Sequence, residues 1–112
     1  MDYSKLSDLE IAANVLIAQG YKLIDDGYGY SIYISDSGRK DIGPKSSRQF
    51  VFDPCNNAAD AWPIAVENGI SLRKLHNGKW RAINEWGDSY QHDHENPLRA
   101  YAVVFLMMQE SE

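Results

Sequence analysis

The chain opens on apolar positions spaced for a helix. Ile11, Val15 and Ala18 share one stripe, with Ala12 and Leu16 beside it. Ser7 precedes the stripe and Glu10 lies three residues on, so each side chain can satisfy an orphan backbone N–H of the other. Leu6 and Ile11 hold the two positions of a hydrophobic staple. Gly20 supplies a left-handed stop. The pattern predicts a helix over 8–19.

The period then changes from helical to two. Tyr21 and Leu23 alternate with Lys22, which predicts a short strand, and Asp26-Gly27 signals a turn. In the next run Tyr30, Ile32 and Ile34 face one way and Ser31, Tyr33 and Ser35 the other. From Ser35 to Ser47 the chain is polar and carries Gly38, Gly43 and Pro44, which predicts a loop. Phe50, Val51 and Phe52 predict a third strand, Gln49 to Phe52.

The stretch Phe52 to Gly69 reads as strand exit, Asx turn, cap, short helix and stop. A cap at Asn57 would put Pro63 deep enough to lose a helical hydrogen bond and clash with the preceding turn. A cap at Asp60 puts Pro63 in the first turn, where no N–H is required. Asp60 is therefore the expected cap, accepting from the Trp62 N–H. Beyond Gly69, Asn77-Gly78 stands between two β-like runs and predicts a two-residue type I′ hairpin. That turn pairs His76 with Lys79, Leu75 with Trp80, Lys74 with Arg81 and Leu72 with Ile83. The parity conflicts, because Leu75–Trp80 and Leu72–Ile83 fall on opposite faces. Either both faces are partly covered or a bulge resets the strand.

Glu85 to Glu95 is polar and predicts a linker. Asn96 then caps a last helix, with Pro97 at its first position, where the missing N–H costs nothing. That helix runs to about Glu110 and is apolar all round from Ala102 to Met108, so more than one side is buried. The order is α-β-β-β-α-β-β-α. The expected class is α+β, with a small, mostly antiparallel sheet of about five strands and helices packed on it. The 112 residues suit a single domain over 1–112.

Composition narrows the function classes. The net charge is −5 and the pI about 5.1, which argues against a general phosphate-backbone binder. One cysteine makes no internal disulfide, so a reducing compartment, the cytoplasm, is expected. The first ten residues lack a basic run followed by an apolar one, so no secretory signal is expected. The longest apolar run, Ala102 to Met108, is far below the ~20 residues that span a bilayer.

Each chemical candidate has a plainer rival. Cys55, before a helix start, is the catalytic candidate, since such a thiol can be activated; its rival is a small buried hydrophobe. His92 and His94 are the metal candidates, pointing the same way if in a strand, with Cys55 as a third ligand. Their spacing matches no closed zinc motif, and the segment reads as a solvated loop. No cofactor is implied. Arg73, Lys74, Lys79 and Arg81 gather at one turn and could meet a phosphate or an acidic partner, or simply be solvated. Tyr21, Tyr28, Tyr30 and Tyr33 could stack bases, though strand aromatics are more often core. Tyr101, Phe105 and Met108 offer a homodimer interface; the rival is a central core helix.

Three segments, MDYSKLSDLEI, FDPCNNAADAWPI and ENPLRAYAVVFLMMQE, together resemble the NinX-like family of lambdoid phage and prophage proteins. They reach both termini and the centre. One departure is Ala58, where relatives often carry proline. The resemblance implies a phage or prophage product working in the cytoplasm of the bacterial host cell. It supplies no catalytic residues. The nin region holds accessory genes, some concerned with recombination, which is association rather than mechanism.

The chain is thus expected to be a non-enzymatic phage accessory protein that binds a host or phage protein, as a dimer. A nucleic-acid factor using hairpin 73–81 is the alternative, and a small enzyme centred on Cys55 the second.

Overall fold

A computed structural model describes residues 2–27, 30–43, 51–84 and 90–110. The fold is α+β, with the order α-β-β-β-α-β-β-β-α after a short 3-10 turn at Tyr3–Lys5. Among the described residues there are six strands in two three-stranded antiparallel sheets, not about five in one.

Helix α1 (Asp8–Ala18) begins as its residues dictate. Ser7 accepts from the Glu10 N–H and Glu10 accepts from the Ser7 N–H, both at 3.1 Å. Ile11, Ala12, Val15 and Leu16 are its buried stripe. Gly20, at φ 93°, turns the chain after the helix.

The first sheet joins β1 (Lys22–Gly27), β2 (Tyr30–Ser35) and β3 (Gly38–Ile42) in that order. A bulge at Ile24 interrupts the β1–β2 register, and every residue of β1 is exposed. In β2 the alternation holds on the buried side of Tyr33, which joins Ile42 and Phe52 in the core, while Ile34 faces outward. Residues 38–42 were expected in a loop. They form a strand because a ladder needs backbone partners rather than apolar side chains. Gly38, at φ 130°, follows the tight turn, and Arg39 grips Asp41 at 2.8 and 3.0 Å along the strand. The strand expected at Gln49–Phe52 shrinks, at its described end, to a parallel bridge between Val51 and Asp41; Gln49 and Phe50 lie outside the described residues.

Helix α2 (Ala58–Glu67) is capped by Asn57, whose side chain accepts from the Ala59 N–H at 3.0 Å. The expected cap at Asp60 is thus corrected. Asp60 is already inside the helix, and its carboxylate turns back to accept from the Asp53 N–H at 2.9 Å. Pro63 sits inside the helix with its ring exposed. The early start persists because the Asn57 cap and the burial of Ala61, Ile64 and Ala65 oppose the one hydrogen bond that Pro63 cannot make.

The second sheet joins β4 (Ile70–Lys74), β5 (Trp80–Asn84) and β6 (Tyr90–His94). Its register differs by one residue from the two-residue turn. Lys74 pairs with Trp80, Arg73 with Arg81, Leu72 with Ala82 and Ile70 with Asn84. Leu75 and Lys79 close a three-residue loop, His76-Asn77-Gly78, with Gly78 at φ 84°. The parity conflict disappears: Ile70, Leu72, Ala82 and Asn84 share the inner face, and Ser71, Arg73, Arg81 and Ile83 the outer. Strand β6 occupies residues expected in a linker; 85–89 lie outside the described residues. Its polar side chains concealed it, since a strand beside a covered partner needs no apolar alternation of its own.

Helix α3 (Pro97–Glu110) is the hub. Asn96 accepts from the Leu98 and Arg99 N–H groups at 3.0 and 3.4 Å. Residues Arg99 to Leu106 are all buried, against α1, α2 and the inner face of the second sheet.

Candidate functional site

Cys55 lies at a crossing of polar contacts. Asp53 opens the turn: its carbonyl accepts from the Asn56 and Asn57 N–H groups at 3.2 and 2.9 Å. The Asn56 amide donates to Asp8 at 3.0 Å and to Asp53. Asn96 donates its amide to the Cys55 carbonyl, which ties the turn to the start of α3. Arg99 donates to Asp8 at 2.7 Å and to the carbonyls of Tyr3, Ser4 and Leu6. Burial alone would raise the Asp8 carboxyl. The hydrogen bonds from Asn56 and Arg99, with the Arg99 charge, outweigh it and hold Asp8 below the usual carboxylate range.

The Cys55 side chain is fully buried. Burial, and then the Asp8 charge, push its thiol from 9.0 up to about 12. An activated nucleophile requires the opposite shift. The geometry makes Cys55 a buried member of the crossing.

The hairpin cations do not form one patch. Arg73 and Arg81 stand directly opposite each other on the outer face of the second sheet. Lys74 belongs to the inner-face row and places its ammonium 5.0 Å over the Trp80 ring. Lys79 is exposed at the turn. Arg81 is held side-on by Asp93 of β6, Nε at 2.8 Å and Nη2 at 3.0 Å. That bond holds the Asp93 carboxyl below its ordinary value. Arg73 makes no such pair among the described residues. Beside it a cleft of about 330 Å³ is lined by Ser71, Leu72, Arg73, Arg81, Ile83 and Gln91. A larger, open depression of about 680 Å³ runs past Gln19, Lys22, Ile34 and Asp36, with no convergent set of titratable groups.

His92 and His94 lie on alternate positions of β6, their rings near parallel at 6.2 Å. Their row is that of Ala82 and Trp80, so both face the α3 side. His94 Nδ1 accepts from the Asn96 N–H at 2.9 Å. Burial, then His94 and Arg99, push His92 below its ordinary value. Among the described residues no three His, Cys, Asp or Glu side chains converge on a metal position.

The tyrosines are dispersed. Tyr33 is buried, Tyr21 bonds Ser37 at 3.1 Å, and Tyr28 and the Tyr30 side chain lie outside the described residues. Tyr101 and Phe105 are buried within the chain's own core and Met108 packs against it. Trp62, by contrast, is 60% exposed, edge-on to Tyr101 at 6.5 Å.

The sequence reading missed Asp8 and Arg99 as partners, and Ile83, Gln91 and Asp93 as neighbours of the hairpin cations. A lone arginine in an apolar helix was the available signal for the first. The second could be found only once β6 was recognised as a strand.

The family model described as Bacteriophage P22, NinX matches residues 2–109. The chain belongs to the NinX family. The match takes in the capping box, the Cys55 turn and nearly all of α3 of this NinX-family chain, and it makes the protein a phage accessory protein. No curated protein matches the chain. No helix among the described residues is long and apolar enough to cross a membrane.

Proposed function

We propose that this NinX-family protein is a non-enzymatic protein-interaction module that acts as a homodimer in the host cytoplasm and engages a further phage or host protein. The observation that supports this reading is the apolar side chains left exposed on the first sheet: Ile24 and Ile34 are 57% and 43% exposed, and Leu23, which the register sets on the Tyr33 face instead, is 49% exposed. Large exposed apolar side chains gathered on one element mark association surfaces. Ile17, at the end of α1, is exposed as well. This surface is a better seat for a second copy than Tyr101 and Phe105, which the chain's own core uses.

Sedimentation of the purified protein tests the dimer. The expected result is a dimer at micromolar concentration that Ile24→Asp with Ile34→Glu converts to a folded monomer. A wild-type protein that sediments as a monomer throughout that range overturns it.

A further inference from the structure

The outer face of the second sheet carries one more basic group than acidic ones to meet it. Its two rows of side chains are set by the register: Arg73–Arg81–Asp93 across one row and Ser71–Ile83–Gln91 across the next. Like charges directly opposite on neighbouring strands oppose pairing. Arg81 is relieved by the Asp93 carboxylate on its β6 side. Among the described residues no strand lies on the other side of Arg73, because β4 is the edge of the sheet there. The row is therefore one carboxylate short. The cleft of about 330 Å³ opens beside that position, with Ile83 as its apolar floor and Ser71 and Gln91 as polar walls.

We propose that this cleft is the docking site for a protein partner that presents an aspartate or glutamate flanked by an apolar side chain. This rests on the protein-interaction reading above and names the partner's chemistry. The acid takes Arg73 side-on, as Asp93 takes Arg81, and the apolar neighbour lies on Ile83. Charge complementarity is local: the protein's net charge is −5, so a polyanion is repelled at long range while a single carboxylate is accepted beside Arg73. The cleft is at the small end of ligand sites, the size for one or two side chains. Arg73 and Arg81 face Asp93 alone in that row, so one bound acid brings the row to neutrality.

The test is a titration of the full chain with an acetylated, amidated Leu-Asp-Leu peptide, followed by NMR shifts of the Arg73 side-chain N–H and the Gln91 amide. Leu-Asn-Leu, inorganic phosphate and a short single-stranded oligonucleotide are the comparison ligands. The expected result is saturable binding of the aspartate peptide, weakened about tenfold by Arg73→Gln and by the asparagine peptide. Lys74→Gln, on the other face of the same strand, leaves it unchanged. Binding that Arg73→Gln does not weaken overturns the proposal. So does equal or tighter Arg73-dependent binding of phosphate or the oligonucleotide, which would make the cleft a phosphate site. Sedimentation of Arg73→Gln separates this proposal from the dimer: the dimer is expected to persist, because the first sheet is untouched.

Discussion

At the scale of single residues, two positions in the Cys55 turn give sharp expectations. A rise from 9.0 to about 12 cuts the thiolate fraction of Cys55 about a thousandfold at neutral pH. The native protein should therefore react with a thiol reagent only as fast as it opens, and denaturant should release the full rate. A fast native reaction, followed by absorbance at pH 8, would contradict the burial of Cys55. Ala58 is the second position. It is the first residue of α2, where proline's missing N–H is harmless, and its predecessor Asn57 has the extended backbone that proline demands, at φ −127° and ψ 111°. Ala58→Pro should stabilise the fold by about 0.5–1 kcal/mol, a few degrees in Tm, through the unfolded chain's lost freedom. Thermal melts of the two proteins decide it, and a lowered Tm would refute the cap assignment at Asn57.

At the scale of elements, the helices were more legible in the sequence than the sheets. Ser7 with Glu10 and Asn96 with Pro97 are local chemistry, and both helix starts stand where those residues put them. The register of the second hairpin was not local. Asn77-Gly78 suits a two-residue or a three-residue turn, and the choice rests on which side chains α3 buries. The glycine decides the turn: Gly78, at φ 84°, has open space around it, so Gly78→Ala meets no clash but holds alanine in a left-handed backbone. A loss of about 1 kcal/mol in denaturant unfolding is expected. No loss would mean that the loop is not built as described. Strands β3 and β6 were illegible because polar residues form them. With β6 unread, the Arg81–Asp93 pair and the cleft beside Arg73 could not be seen. The structure divides the cations of the hairpin between two faces, with Arg73 and Arg81 on the outer one and Lys74 in the inner-face row.

At the scale of the molecule, the N-terminal segment, the Cys55 turn and α3 are tied together by Arg99, and the pH dependence of stability reports on its surroundings. His92 is held below its ordinary 6.5 by burial first, then by His94 and Arg99, against the smaller pull of Asp93 and Asp2. Below pH 6.5 the unfolded chain takes up a proton that native His92 still refuses. The unfolded state then binds more protons, so stability falls as pH falls, until native His92 itself titrates. The carboxylates act in a separate window. Asp8, Glu10 and Asp93 are lowered in the fold, so the stability they contribute is present above their ordinary values of 3.8 to 4.5 and is lost as pH falls through their native ones. A stability curve from pH 7.5 downward should therefore show two limbs, the first beginning near 6.5. His92→Gln should flatten the first limb and leave the second. Arg99→Ala should lower the whole curve by about 2–3 kcal/mol, because it removes the one side chain that donates to Asp8 and to the carbonyls of Tyr3, Ser4 and Leu6 together. It should also shorten the first limb, since a cation that disfavours protonated His92 is gone. If His92→Gln leaves the first limb intact, the acid sensitivity arises elsewhere, and the coupling of β6 to α3 through His92 and Arg99 is not what sets it.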